Sequence, residues 1–346
     1  MAKVAINGFG RIGRTFFRMA LHHPDFEIVA INDLGDIENL AYLLKYDTAY
    51  GQGQFDVEVK NGSLVVDGKE IVFLSERDPK MLPWLAKGVD IVIESTGFFA
   101  SYEASKMHLE AGAKRVILSG PVSDDPVKAG VTGATVLMGV NEASLATCTI
   151  TSNASCTTNA VSPLIAILKE SIGIEKAILN TTHAYTASQS LVDGPSKKDF
   201  REGRAAAQNI IPTSTGAAKA TTLAHTDLKG KFDGISIRVP VPVGSIVDVT
   251  FIASRPTTVE EVNEALTKAA QSDMWKELFA VSNEPLVSSD IIGAHFASIA
   301  DLEMTRVVDG NLVKVLAWYD NETSYTYTLL KHVAAVARFF NVKTED

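Results

Sequence analysis

The chain has 346 residues, of which 46% are hydrophobic and 21% are charged, and its formal net charge at pH 7 is −9. This length suits two domains with separate cores. The negative charge disfavours nucleic acid or an anionic membrane surface as the main partner. No apolar run reaches the ~18 residues of a membrane-spanning helix, and two cysteines, Cys148 and Cys156, are too few for a disulfide framework. The N-terminus enters a strand without a signal-peptide pattern, so we expect a cytoplasmic protein.

The first predicted element group is a strand, a glycine-rich turn, a helix and a second strand. Strand 3–7 is followed by Gly8-Phe9-Gly10-Arg11-Ile12-Gly13, helix 14–21 and strand 27–31, after which comes Asp33. Such glycines allow a tight turn and a close approach of a pyrophosphate to the helix N-terminus, and the carboxylate suits the hydroxyls of a ribose. The pattern predicts a Rossmann-type dinucleotide-binding domain. The alternative is a glycine turn that serves packing alone.

Asp33 also bears on the choice of cofactor. Its charge would repel a ribose 2′-phosphate, and the following residues, Leu34-Gly35-Asp36, offer no Arg or Lys to bind one. The sequence therefore favours NAD over NADP.

The rest of the first half continues this α/β pattern. Residues 55–76 read as a small antiparallel meander with Asn-Gly and Asp-Gly turns. Strands 90–94 and 115–118, with helix 102–111 between them, are typical of a doubly wound sheet. We place the first domain at 1–155.

The second half changes to alternating strands, which predicts an α+β domain with a mostly antiparallel sheet over 156–321. A capping box at 258–261 opens an amphipathic helix there, and a long connection occupies 186–215. The final helix, 322–346, is expected to pack back on the first domain. The predicted strands of the second domain are 176–182, 234–240, 246–253, 297–307 and 312–319.

Cys156 lies where a strand is predicted to turn into a helix. A β-rich run at 147–151 precedes Ser152-Asn153-Ala154-Ser155-Cys156-Thr157-Thr158-Asn159, and residues 160–169 are apolar at helical spacing. A helix N-terminus offers unpaired N–H groups and the positive end of the helix dipole, and both favour a thiolate. The stretch is compatible with a reactive cysteine, and equally with a buried structural cysteine beside ordinary N-cap residues.

His183 is the candidate proton acceptor. It ends the predicted strand 177–182, and an imidazole exchanges protons near neutral pH and can hold a neighbouring cysteine as thiolate. Taken alone, a histidine at a strand end is more often a polar residue without a catalytic role. The other histidines have no comparable setting and no metal-ligand spacing, so no metal site is predicted.

Six short sequence motifs (called words below) are distributed along nearly the whole chain. In this order they resemble the phosphorylating glyceraldehyde-3-phosphate dehydrogenase family, and the word around Cys156, A-S-C-T-T-N, is highly specific in that context. The six words are residues 7–14, 154–159, 182–186, 209–220, 238–240 and 318–322.

The resemblance implies an NAD-dependent oxidation of D-glyceraldehyde 3-phosphate, with inorganic phosphate, to 1,3-bisphosphoglycerate. Cys156 is similar to the family's nucleophile, whose thiolate forms a hemithioacetal with the aldehyde and a thioester once hydride has left. His183 is similar to the base that takes the hydroxyl proton. The family also implies a homotetramer in which the connection 186–215 lines a neighbour's cofactor site.

Binding residues follow from the resemblance by position. Those implied for NAD are Gly8, Gly10, Arg11, Ile12, Gly13, Asp33, Arg77, Ser119 and Asn321. The pocket for the substrate's own phosphate is implied to contain Thr186 and Arg238. The pocket for the attacking phosphate is implied to contain Ser155, Thr157, Thr215 and Gly216.

Three departures from the family pattern have consequences. Ala160 stands where many relatives have a second cysteine, so we expect oxidation of Cys156 to give sulfenic acid or a mixed disulfide. The connection at 187–195 differs from that of bacterial relatives. Glu202 follows Arg201 where those relatives often have paired arginines, so neither Arg201 nor Arg204 is assigned to the phosphate site.

Other functions are weighed against this one. An erythrose-4-phosphate dehydrogenase would share the fold and the nucleophile, but the unbroken word 209–220 and Thr186 favour the three-carbon substrate. A thiol hydrolase would use Cys156 and His183 but leaves the glycine turn and Asp33 without a role. Binding of RNA or partner proteins as a main function is not supported by the net charge.

Overall fold

The chain divides into two units within residues 1–196 and 199–341, which are the residues that the computed structural model describes. Residues 197 and 198 of the predicted connection and 342–346 of the predicted final helix lie outside the described residues. The first unit contains residues 1–136, 141–154 and the C-terminal segment from 326, and the second contains residues 137–140 and 155–325.

The α-helices follow the predicted order, with additions. In chain order they are α1 (Arg11–Ala20), α2 (Ile37–Lys45), α3 (Trp84–Lys87), α4 (Tyr102–Glu110), α5 (Cys156–Ser171), α6 (Ala217–Ala224), α7 (Val259–Ala270) and α8 (Thr323–Asn341).

The strands fall into one set for each unit. Those of the first unit are β1 (Ala2–Asn7), β2 (Phe26–Asn32), β3 (Tyr46–Asp47), β4 (Gly51–Gln52), β5 (Val57–Lys60), β6 (Ser63–Val66), β7 (Lys69–Leu74), β8 (Ile91–Glu94), β9 (Arg115–Leu118), β10 (Gly133–Thr135) and β11 (Ile150–Ser152). Those of the second unit are β12 (Ile174–Ala184), β13 (Ile211–Ser214), β14 (Phe232–Val239), β15 (Ser245–Ala253), β16 (Phe279–Ser282), β17 (Ser298–Val308) and β18 (Leu312–Tyr319).

The first unit is a Rossmann-type doubly wound domain, as predicted. Its sheet runs in the order β10-β11-β9-β8-β1-β2-β7-β6-β5, and the pairs from β10 to β7 are parallel. Strands β5 and β6 form the predicted antiparallel meander with β7. The turn residues Asn61, Gly62, Asp67 and Gly68 have the positive φ angles that tight hairpin turns require. The carboxyl ends of the parallel strands therefore share one edge of the sheet, where ligands collect in such folds.

Helices α1 and α8 supply much of the core of the first unit. Phe16 and Phe17 of α1 are fully buried and belong to the same hydrophobic cluster as Leu329, Val333 and Val336 of α8. These α8 residues recur at helical spacing and form an apolar stripe on one face of the helix. The part of α8 from residue 326 thus completes the first unit, although it follows the second unit in the chain.

Three local details differ from the sequence prediction. Helix α1 begins at Arg11 instead of residue 14, because Gly10 is its N-cap residue. Helix α2 was not predicted, although the Asp36 side chain caps it by accepting a hydrogen bond from the Asn39 N–H at 3.0 Å. Strand β13 lies inside the predicted connection 186–215, and α6 follows it directly.

The second unit has the mostly antiparallel sheet that the sequence predicted. Its strands lie in the order β13-β14-β12-β15-β18-β17-β16. Among the described strands of this sheet, β12–β14 and β16–β17 are parallel pairs and the other neighbours are antiparallel. Helix α5 packs on β15, β17 and β18. Side chains along β15 alternate between buried and half-buried, so one face of the sheet forms the core beneath the helix.

No helix within the described ranges is both long and apolar enough to cross a membrane.

A truncation in α8 tests whether this helix stabilises the first unit. Leu329→Ala should reduce the free energy of unfolding by about 2–5 kcal/mol, because a fully buried leucine leaves a cavity. Urea unfolding followed by circular dichroism measures the change. Leu85→Ala is the control, since Leu85 is 77% exposed in the same unit and should lose little. Equal stability losses in the two variants would show that α8 does not pack as described.

Candidate active site

Cys156 is the first residue of α5, as the sequence predicted. Strand β11 ends at Ser152, and the connection passes through Ala154, whose φ of 55° is left-handed. Ser155 then caps the helix, because its Oγ accepts a hydrogen bond from the Thr158 N–H at 3.1 Å. The sulfur therefore lies at the positive end of a helix of 16 residues, where a thiolate is favoured.

His183 faces this sulfur from the end of β12. Its Nε2 lies 3.3 Å from the Cys156 Sγ, within hydrogen-bonding distance for sulfur. The imidazole is only 4% exposed, whereas Cys156 is partly accessible. A nucleophile and a base in direct contact are the arrangement that thiol catalysis requires.

Arg238 lies on the other side of the imidazole, because β12 and β14 run in parallel and His183 pairs with Arg238 in register. The Arg238 Nη1 is 2.5 Å from the His183 Nδ1 and 3.2 Å from the Ala184 carbonyl oxygen. That carbonyl oxygen is also 2.6 Å from Nδ1. When Nδ1 donates its proton to the carbonyl, the lone pair of Nε2 points at the sulfur, which is the form of His183 that accepts a proton.

The surroundings shift the pKa of both groups. Burial, and after it the charge of Arg238, lower the pKa of His183 to about 3, so the imidazole is neutral at physiological pH. Burial raises the pKa of the Cys156 thiol, whereas Arg238, the Thr157 hydroxyl and nearby backbone N–H groups lower it. His183 is thus poised as a base, and the thiolate depends on the donors around it.

The contact between Tyr319 and Thr157 is a part of the site that the sequence did not reveal. The Tyr319 hydroxyl lies 2.9 Å from the Thr157 Oγ1 and 2.9 Å from the Thr181 Oγ1. The Tyr319 ring meets the His183 ring edge to face, with centroids 5.9 Å apart. Tyr319 lies in the family motif 318–322, from which only Asn321 was assigned a role. Along β18 buried side chains alternate with more exposed ones, and Tyr319 falls on the buried side.

The glycine turn of the first unit has the shape that a dinucleotide needs. Gly8 has a φ of 98°, and a Cβ there would lie 2.6 Å from the backbone of Ser95. A Cβ on Gly13 would lie 2.2 Å from the carbonyl oxygen of Gly8. At Gly10, by contrast, a Cβ would meet no atom within 4 Å. The first two glycines are therefore required by the fold, while Gly10 leaves space in front of the N-terminus of α1 for a phosphate group.

The other residues predicted to bind NAD in this unit lie around the same sheet edge. The Asp33 carboxylate accepts hydrogen bonds from the Phe9 N–H at 2.6 Å and the Gly35 N–H at 2.7 Å, so it also braces the turn. Arg11 pairs with Asp47, while Ile12 follows it in the first turn of α1. The exposed Arg77 follows β7 and Ser119 follows β9. These residues fit a bound dinucleotide.

The predicted phosphate-binding residues lie in the second unit. Thr186 follows β12, and its hydroxyl is 2.9 Å from the Ser188 Oγ. The Thr215 Oγ1 accepts a hydrogen bond from the Ala217 N–H at 3.2 Å, and Gly216 is the N-cap residue of α6. The described contacts join Arg238 to His183 but do not join Thr186, Thr215 or Gly216 to the catalytic pair.

Asn321, the remaining residue predicted to bind NAD, lies in the second unit. The Asn321 Oδ1 accepts hydrogen bonds from the Gly244 N–H and the Ser245 Oγ, both at 3.1 Å, which fixes the orientation of the amide.

No group of three or more His, Cys, Asp or Glu residues among residues 1–196 and 199–341 is placed to hold a metal ion.

Comparison with known proteins decides the family. Residues 2–102 match the model described as the NAD binding domain of glyceraldehyde 3-phosphate dehydrogenase, and residues 155–321 match the model of its C-terminal domain. The chain belongs to the glyceraldehyde 3-phosphate dehydrogenase family.

Curated relatives agree with this family over nearly the full length of the chain. The glyceraldehyde-3-phosphate dehydrogenase of Geobacillus stearothermophilus is 48% identical over 337 residues, covering 97% of this chain and 98% of the relative. Glyceraldehyde-3-phosphate dehydrogenase 1 of Bacillus subtilis is 47% identical over 338 residues, with coverages of 97% and 98%. The cytosolic enzyme of Leishmania mexicana is 46% identical over 330 residues, with coverages of 95% and 97%.

Gly10 provides a test of the cofactor turn in this family member. Gly10→Ala should weaken NAD binding at least about tenfold, because the new methyl group occupies the space through which the pyrophosphate approaches. The thermal midpoint should hardly change, since no protein atom lies in that space. Calorimetric titration with NAD measures the affinity. Gly216→Ala is the matched control, because its Cβ would also meet no atom and Gly216 is also an N-cap residue; similar NAD affinities in both variants would contradict the assignment.

Proposed function

We propose that this protein oxidises D-glyceraldehyde 3-phosphate to 1,3-bisphosphoglycerate with NAD and inorganic phosphate, through a thioester on Cys156. The observation that supports this most is the contact between the Cys156 Sγ and the His183 Nε2 at a helix N-terminus. The glycine turn that suits NAD and membership of the family support the same reaction. No contact favours the four-carbon aldehyde.

The first step joins the aldehyde to the enzyme. The Cys156 thiolate attacks the carbonyl carbon, a C–S bond forms, and the carbonyl electrons move to oxygen, which takes up a proton from solvent to give a hemithioacetal. The helix N-terminus, including the N–H of Cys156, can stabilise that oxygen as its charge develops. His183 Nε2, 3.3 Å from the sulfur, is placed to accept the hydroxyl proton in the tautomer whose Nδ1 donates to the Ala184 carbonyl.

The second step turns the hemithioacetal into a thioester. Bound NAD supplies the hydride acceptor. Removal of the hydroxyl proton by His183 returns an electron pair to the C–O bond, and this drives the hydride from the same carbon. A phosphate oxygen then attacks the thioester carbon, the C–S bond breaks, and the thiolate returns. The energy of the oxidation is retained in the acyl phosphate, provided that water does not attack first.

Two anion sites are assigned from the family resemblance, and the chemistry of their donors supports them. We assign Thr186 and Arg238 to the phosphate of the substrate, and Ser155, Thr157, Thr215 and Gly216 to the attacking phosphate. Hydroxyl, guanidinium and backbone N–H donors suit such anions, and Arg238 brings a positive charge next to His183.

The NAD assignment covers the residues of the glycine turn, Gly8, Gly10, Arg11, Ile12 and Gly13, together with Asp33, Arg77, Ser119 and Asn321. Asp33 is already bonded to two backbone N–H groups, yet a carboxylate accepts about four hydrogen bonds, so it retains capacity for ribose hydroxyls. Its charge favours NAD over NADP. Asn321, whose oxygen is fixed by two donors, keeps its amide N–H₂ group for the carboxamide of the cofactor.

We assign the protein to the cytoplasm as a homotetramer. The cytosolic relative supports the location. Ile178 on β12 and Ile235 on β14 are 59% and 52% exposed, so the sheet of the second unit has apolar surface that another copy can bury. Light scattering should give four times the 37.1 kDa chain mass at assay concentrations. A monomer mass would exclude the tetramer without affecting the chemistry.

Kinetics test the reaction directly. Cys156→Ser should abolish NADH formation and leave NAD affinity nearly unchanged, because the serine hydroxyl is a far weaker nucleophile at neutral pH. Cys148→Ser is the matched control, since the same change at the buried second cysteine should leave turnover intact.

The same assay distinguishes the alternatives. In the wild type, turnover should stop without phosphate after a burst that matches the amount of Cys156, and NADP should support little activity. Activity retained by Cys156→Ser would place the nucleophile elsewhere. A higher kcat/KM for erythrose 4-phosphate than for glyceraldehyde 3-phosphate would identify the four-carbon sugar as the substrate.

A further inference from the structure

Tyr319 joins the two elements that carry the reactive groups. Its hydroxyl lies between Thr157, which directly follows Cys156 in the first turn of α5, and Thr181, which lies on β12 on the approach to His183. In the sheet, β15 separates β18 from β12, so the tyrosine side chain reaches past a whole strand to make this contact. Tyr319, Thr157 and Thr181 are exposed by only 1%, 5% and 1%. A polar group buried this deeply acts through the few partners it has.

The direction of the hydrogen bonds in this group follows from its two ends. Thr181 Oγ1 lies 3.3 Å from the carbonyl oxygen of Ile246, which accepts but cannot donate. At the other end, Thr157 directly follows Cys156 in the first turn of α5, next to the sulfur-bearing residue. Its hydroxyl also lowers the pKa of the thiol, which is the effect of a donor to a thiolate. Three hydroxyl protons can therefore all point toward the carbonyl or all point toward the sulfur.

A charged sulfur selects the second direction. With a thiolate at Cys156, Thr157 donates to the sulfur, Tyr319 donates to Thr157, and Thr181 donates to Tyr319. This order retains both 2.9 Å contacts and gives up only the 3.3 Å contact to Ile246, which is the longest in the chain of hydroxyls. A hydrogen bond to a charged acceptor is stronger than one to a neutral carbonyl. Burial raises the pKa of Tyr319, so the phenol stays protonated and remains a donor.

We propose that Tyr319 is a positioning residue that donates to the Thr157 oxygen and so holds the Thr157 hydroxyl toward the Cys156 sulfur. The inference rests on the proposed role of Cys156 as nucleophile. Without the Tyr319 donor, the Thr157 hydroxyl can turn away and leave the thiolate with one donor fewer. The other titratable or charged groups that face this region are His183 from β12 and Arg238 from β14.

The arrangement gives Thr157 two successive tasks. Before the aldehyde arrives, its hydroxyl stabilises the thiolate. In the thioester the sulfur has no negative charge and is a weak acceptor, so the Thr157 proton becomes available to an oxygen of the attacking phosphate. Throughout, Tyr319 keeps its own proton on the Thr157 oxygen. One buried phenol thereby supports both the start and the end of the cycle without touching the substrate.

The test is the pH dependence of Cys156 alkylation by iodoacetamide, a neutral reagent that reports the thiolate and needs no substrate or cofactor. Peptide mass spectrometry follows Cys156 separately from Cys148. In Tyr319→Phe the midpoint should move to higher pH by about one unit, which is a tenfold loss of thiolate below the midpoint. The sign follows because a lost donor destabilises the charged form. The affinity for NAD should stay the same.

A double-mutant cycle shows whether the effect passes through Thr157. Thr157→Val should raise the midpoint as Tyr319→Phe does, and adding Tyr319→Phe to it should cause no further shift. Tyr102→Phe is the matched control, because Tyr102 is also a buried tyrosine bonded to a threonine but belongs to the first unit. Its midpoint should equal that of the wild type.

Other outcomes overturn the proposal. An unchanged alkylation midpoint in Tyr319→Phe would refute the proposal. So would an equal upward shift when Tyr319→Phe is introduced into the wild type and into Thr157→Val, because Tyr319 would then not act through Thr157. Should Tyr319→Phe not fold, 3-fluorotyrosine at position 319 is the second variant; as a stronger donor it should lower the midpoint, and a rise would refute the inference. These results are independent of Cys156→Ser, whose retained activity would refute the proposed function itself.

Discussion

The contact between the Cys156 sulfur and the His183 Nε2 is the interaction on which the rest of the site depends. Burial acts against charge on either group, since it raises the pKa of the thiol and lowers that of the imidazole. The proposed thiolate therefore depends on groups that act against burial: the charge of Arg238, the Thr157 hydroxyl and the N-terminus of α5. The second unit can be understood as the framework that brings these three donors to one sulfur.

Arg238 lowers the pKa of both members of the pair, and the two effects serve the same end. Beside Cys156 its charge favours the anion, and beside His183 it disfavours the cation. The cysteine is thereby favoured to lose its proton, while the histidine stays in its neutral form. A single guanidinium nitrogen, Nη1, lies next to both the imidazole and the Ala184 carbonyl.

The sequence predicted those features that depend on local residue types. The glycine turn, the meander turns and the cysteine at a helix start follow from conformational and electrostatic preferences of a few adjacent residues. It did not predict that Arg238 touches His183, because that contact depends on the register between β12 and β14, which are far apart in the chain. Tyr319 was not predicted for the same reason: its contacts with Thr157 and Thr181 form only when β18, β12 and α5 pack together.

The parallel pairing of β12 and β14 has a consequence for how such a protein can change over time. Parallel neighbours need a long crossover, and here it runs from residue 185 to residue 231. The alignment of His183 with Arg238 is fixed by the ladder itself, not by the length or composition of that crossover. Outside β13, which pairs with β14, and outside the proposed phosphate-binding residues, changes in the crossover can therefore accumulate without altering this alignment. The rest of the crossover is free to diversify, while the juxtaposition of His183 and Arg238 is inherited unchanged.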